Sequence, residues 1–142
     1  MPYATLQNLT DRVGAELLLQ LADRSSPPVG AVDDAVVARA LNDADAVIDG
    51  YLAGRYVLPL ASVPPLLVDL AGAIALYKLH IVKPEGKIED DYKDAIASLV
   101  KISTGVIRLP VAGVEPPSSG SSGVMFTDRE RDLTPDNMRG LI

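Results

Sequence analysis

The chain has 142 residues, 48% of them hydrophobic and only 4% aromatic, with no Trp and no Cys. That length suits one cored domain and is too short for two of ordinary size, and the lack of thiols excludes disulfides, thiolate metal sites and Cys nucleophiles. A formal charge of −6, with no Lys/Arg run longer than two, argues against a phosphate-gripping surface.

Thr5 precedes Leu6, Leu9 and Val13 at helical spacing, and its hydroxyl suits an N-cap, so a short first helix is expected to end near Gly14. Ala15 to Ala22, with Leu17, Leu18, Leu19 and Leu21, reads as a compact apolar turn or two docked on a bundle. Asp23 to Ala31, containing Ser25, Ser26, Pro27, Pro28 and Gly30, reads as a loop.

The clearest helix follows. Asp33 or Asp34 is placed to cap it, because a carboxylate there satisfies orphan N–H groups and complements the helix dipole. At 100° per residue, Val36, Val37, Ala40, Leu41, Ala44, Val47, Ile48, Tyr51, Leu52 and Arg55 share one broad arc, with Asp45 and Asp49 outside it. Ala35, Ala38, Ala46 and Ala53 form a thin face with few long side chains, which a second backbone can approach closely. It is a candidate subunit contact, although solvent-facing Ala is also common in good helices.

Pro59 cannot continue this helix, and Pro64-Pro65 opens the next with a proline at its first turn. From Leu66 to Val82 apolar residues point in every direction, so this is the expected central helix, to be covered by its own chain or by a neighbour's. That pattern favours assembly over catalysis. The segment falls short of the roughly 20 residues a bilayer needs and contains Asp69, Lys78 and His80. The start Met1-Pro2-Tyr3-Ala4-Thr5 lacks the basic run and apolar core of a signal peptide. A soluble, intracellular protein with no membrane partner is the expectation.

Lys83-Pro84-Glu85-Gly86 breaks the central helix, and about Lys87 to Thr104 is amphipathic, with Ile88, Tyr92, Ala95, Ile96, Leu99 and Ile102 on one face and Asp90, Asp94 and Lys101 on the other. After Gly105, the β-branched Val106-Ile107-Arg108-Leu109 is expected to be a short edge strand that offers Val106, Ile107 and Leu109 to a partner chain. Residues 110–123 are rich in Pro, Gly and Ser and read as a flexible linker. Residues 124–142 regain apolar anchors, Phe126, Met138, Leu141 and Ile142, and read as a docking segment. The expected architecture is all-α: a bundle of four to five helices over 1–109, a short strand, and an extended C-terminal arm.

Chemistry is hard to place. His80 is the only histidine and falls in the apolar helix, so a satisfied core or interface imidazole is the better reading than a general base. No phosphate-cradling Gly loop or dinucleotide fingerprint is present. Asp43, Asp45 and Asp49, and separately Asp90, Asp91 and Asp94, lack the Gly-turned spacing of a dedicated Ca²⁺ loop. The expectation is a non-enzyme without cofactor or metal, set against two alternatives: a small hydrolase using these Asp groups and His80, and an adaptor binding a host protein through its tail.

Tyr3-Ala4-Thr5 opening a short helix, the run Ala44-Asp45-Ala46-Val47-Ile48-Asp49-Gly50-Tyr51-Leu52-Ala53-Gly54-Arg55-Tyr56, the hinge Leu58-Pro59-Leu60 and Val63-Pro64-Pro65-Leu66-Leu67 together resemble the Mu-like phage head-tail connector family. Phe126-Thr127-Asp128-Arg129 and Met138-Arg139-Gly140 resemble that family's ending, so the likeness covers essentially the whole chain. It departs at Asp23 to Gly30, where relatives often carry an Asp/Gly-rich stretch and this chain has Ser25, Ser26, Pro27 and Pro28. The resemblance implies a small, mainly helical, ring-forming adaptor of the virion neck, made in the host cytoplasm. It would join portal protein to tail or neck proteins, with DNA running through its bore unbound.

Overall fold

A computed structural model describes residues 2–111, and these residues form five helices: α1 (Leu6–Val13), α2 (Ala15–Ala22), α3 (Asp34–Leu52), α4 (Pro65–Leu79) and α5 (Lys87–Ser103). The fold is all-α. Thr5 caps α1 in a reciprocal box: the Asn8 N–H donates to its hydroxyl (3.3 Å), and its own N–H donates to the Asn8 side chain (2.8 Å). Ala4 and Leu9, one before the cap and four into the helix, are both buried and staple the chain's entry to the bundle. Gly14, at φ 85, ends α1 and starts α2 in a conformation that favours glycine. Asp23 holds the following loop by accepting from the Ser25 N–H (3.3 Å) and the Gly30 N–H (2.8 Å).

Asp33 is the residue that caps α3, accepting from the Ala35 N–H at 2.9 Å. The arc read from the sequence extends to Arg55, but the helix stops at Leu52, whose carbonyl takes the N–H groups of both Arg55 and Tyr56 (2.9 Å each). Its buried residues, Val37, Ala40, Ala44, Ile48 and Leu52, lie on α4, the helix it packs against most extensively.

α4 is also shorter than its hydropathy suggests. It ends at Leu79, and His80 turns to extended backbone (φ −74, ψ 131). The His80 ring Nδ1 lies 2.8 Å from the Leu76 carbonyl oxygen, and Arg24 donates to the Leu79 carbonyl at 2.8 Å, so two of the last carbonyls are satisfied from outside the helix. Along α4, Leu67, Leu70, Ala71, Gly72, Ala73, Ile74, Ala75, Leu76 and Leu79 are all buried, with α3, α5 and α1 laid around them. The all-round apolar helix is thus covered by its own chain. Its burial needs no neighbouring subunit.

The strand expected over Val106–Leu109 is not formed, and there is no strand anywhere among the described residues. The segment instead runs back along the end of the bundle: the Ile107 N–H donates to the Lys101 carbonyl (3.1 Å), the Leu109 N–H donates to the Tyr56 hydroxyl (3.1 Å), and Leu109 is buried. Burial of this alternate apolar residue, rather than ladder pairing, accounts for the pattern that resembled a strand. Ile107 and Val111 also pack against the core.

Candidate interaction surface

Ala35, Ala38, Ala46 and Ala53, the thin face expected on α3, are all exposed. Ala46 joins Val47, Gly50, Tyr51, Tyr92 and Ile96 in lining an open groove of about 420 Å³ between α3 and α5. Tyr92 of α5 stacks on Tyr77 of α4, ring centroids 3.9 Å apart and planes 11° apart. Of the three residues expected to meet a partner beyond α5, Val106 is exposed, Ile107 half-buried, and Leu109 part of the chain's own core. Phe126, Met138, Leu141 and Ile142, with the 112–123 part of the expected linker, lie outside the described residues.

The acids of α3 have a structural employment that the sequence did not reveal. The Tyr3 N–H donates to the Asp45 carboxylate (3.1 Å) and the Tyr3 hydroxyl donates to Asp49, so two carboxylates one turn apart clasp the N-terminal segment. Burial, then the hydrogen bond to Asp49, pushes the Tyr3 hydroxyl well above the usual phenol range. Burial is also the main reason that the Asp45 carboxyl is raised, partly offset by the Tyr3 N–H. Beside this clasp, Tyr3, Asp49, Leu58, Pro59, Leu60 and Val63 line a cavity of about 310 Å³.

A second cluster ties three helices. Arg12 from α1 donates to Asp69 of α4 (2.6 Å) and to Asp91 of α5 (3.4 Å), its stem crossing Gly72 at 3.7 Å from where a Cβ would lie. Asp91 also takes Lys87 (2.8 Å), and its carboxyl is held below the usual range by Lys87 first and by Arg12 less strongly. Glu89 is likewise lowered, by Lys93 and then Lys83. Of Asp90, Asp91 and Asp94, the acids of α5 weighed as oxygen ligands, Asp91 is thus taken by Lys87 and Arg12, and among the described residues no three His, Asp or Glu side chains gather around a common point. His80 meets a backbone carbonyl rather than a carboxylate or hydroxyl. Among the described residues no helix is long and apolar enough to cross a membrane.

Tyr3 and Arg12 were missed as anchors because their partners are 42 and 57 residues away, beyond any local period. The signal that was available is the buried pair Ala4 and Leu9 around the Thr5 cap, which fixes the N-terminal segment against the bundle.

Comparison with known proteins gives a consistent match. A family model described as Bacteriophage Mu, Gp36 matches residues 3–127. The Mu-like prophage FluMu protein gp36 of Haemophilus influenzae is 36% identical over 124 residues, covering 87% of this chain and 86% of that protein. Gene product J of Escherichia phage Mu is 39% identical over 105 residues, 74% of each chain.

Proposed function

The chain belongs to the Bacteriophage Mu Gp36 family, and on that premise we propose that it is a structural protein of the phage particle: a head-tail connector that forms a homo-oligomeric ring in the neck. Its partners on this reading are portal protein on one side and tail or neck proteins on the other, with DNA passing through the ring without specific binding. The carrying observation is that the chain covers the all-round apolar α4 by itself yet, among the described residues, leaves Val29, Val57, Ile81, Val82 and Val106 at least 70% exposed, together with the thin Ala face of α3. Contact surface held apart from a completed core is what an assembling subunit requires. The net charge of −6 is compatible with a bore that lets a duplex pass without holding it. Residues 124–142 add a tethered contact, whose effective concentration at a docked neighbour makes a weak interaction sufficient.

The test is co-expression with portal protein, followed by mass measurement of the complex and imaging of assembled particles. The expected result is a ring of this chain bound at the portal vertex, and absence of this chain from the neck of complete particles overturns the reading.

A further inference from the structure

Val29, Val57, Ile81, Val82 and Val106 are 70–79% exposed, whereas the other exposed large apolar residues, Leu6, Leu66 and Val100, are only 36–43% exposed. The five are not scattered. Arg24 donates to the Leu79 carbonyl, and Asp23 accepts from the Gly30 N–H (2.8 Å each), which ties the loop carrying Val29 to the end of α4 that carries Ile81 and Val82. The Arg55 guanidinium lies against Gly105, less than 3 Å from where a Cβ would stand, and the Leu109 N–H donates to the Tyr56 hydroxyl, which ties the segment carrying Val57 to the one carrying Val106. The first group is at the start of α3 and the second beyond its end, so they mark opposite ends of the bundle.

Charge divides along the same axis. Asp33, Asp34 and Glu85 are exposed at the first end beside Lys78, and Lys83 and Lys87 there pair with Glu89 and Asp91, so acids outnumber unmatched cations at that end. Lys101 and Arg108 are exposed at the second end. We propose that the two ends are the halves of one heterologous contact between copies: Val29, Ile81 and Val82 of one chain seat on Val57 and Val106 of the next, with Asp33, Asp34 and Glu85 facing Lys101 and Arg108. Two unlike, complementary patches on one chain favour head-to-tail repetition over a two-fold dimer, and such repetition gives a ring when the rotation closes. The inference rests on the connector reading above and names the surfaces that would build its ring.

The absence of native cysteine makes the test direct. Val82→Cys and Val106→Cys are prepared as separate full-length chains, then oxidised singly and mixed, alone and with portal protein. The mixture is expected to give a disulfide-linked dimer that neither single variant gives by itself, and the double variant a ladder of linked copies. Self-linking of either single variant as strong as the mixture overturns the head-to-tail contact, as does a chain that assembles with portal protein while the mixture stays unlinked; in the latter case the connector reading survives. A chain that neither assembles nor links ends both. As a second arm, Glu85→Lys is expected to weaken self-association about two- to fivefold, the range of exposed charge pairs, and Arg108→Glu in the same chain to restore it. Failure of that rescue, with the Glu85→Lys loss intact, counts against the charge pairing.

Discussion

Gly105 shows how much one missing methyl can carry. It lies at φ 82, and a Cβ would come within 2.7 Å of the Arg55 guanidinium. Gly105→Ala pushes the end of the Arg55 side chain aside at little cost but holds an alanine at a strained positive φ, and is expected to cost about 1–3 kcal/mol in urea unfolding. Asp45 offers a test of sign. Its folded-state pKa is raised, chiefly by burial, so the folded chain holds a proton on this group more tightly than the unfolded chain does. The resulting stabilisation is present in full below the unfolded carboxylate pKa and is lost as pH rises through the raised folded value. Asp91 works the other way: its lowered pKa adds stability above the unfolded value that is lost as pH falls through the folded one. Asp45→Asn, which keeps an acceptor for the Tyr3 N–H, is expected to remove the acid-side gain and leave the acid-side loss steeper, read from urea midpoints across the carboxylate range. At this scale the caps Thr5 and Asp33 were legible in the sequence because a cap is local. The Tyr3 clasp and the Arg55–Gly105 contact were not, because folding alone brings those residues together.

Among the elements, α4 is the one the rest of the bundle is built around. Ile74 is fully buried there, so Ile74→Ala removes packed methyl groups and leaves a void, with an expected loss of about 2–5 kcal/mol on chemical denaturation. Arg12→Ala is expected to be milder, about 0.5–1 kcal/mol given the partial exposure of its pairs, and to raise amide exchange in α1 before the rest, since that side chain fastens α1 to α4 and α5. Four of the five helices could be read from periodicity and breakers, whereas Ala15–Ala22 read only as an apolar turn or two and is a full helix. Their ends were less legible: Arg55 and Val82 continue the apolar pattern past the point where the helix stops. Apolar periodicity reports which side chains seek the core, not which backbone groups remain in the helical ladder. Val106–Leu109 misled for the same reason, because β-branching and alternation describe a half-buried extended segment whether or not a second strand pairs with it.

For the whole molecule, the sequence correctly required that α4 be enclosed but left open which chain encloses it. α1, α3 and α5 supply the cover, which leaves the exposed ends and the Ala face, rather than that helix, as surface open to association. The exposure of Ala35, Ala38, Ala46 and Ala53 was legible beforehand, because on a regular helix spacing alone says what points outward. Val29, Ile81 and Val82 are in loops or past a helix end, where no period assigns a direction.

With its most apolar helix already enclosed, the subunit does not have to fold and associate in one step. On the proposed function, copies can be stockpiled as finished parts and added to a growing particle by collision alone. If copies close into the ring proposed above, its growth is expected to speed up with subunit concentration and respond to salt without the lag that a refolding step would impose, a signature that stopped-flow light scattering can read.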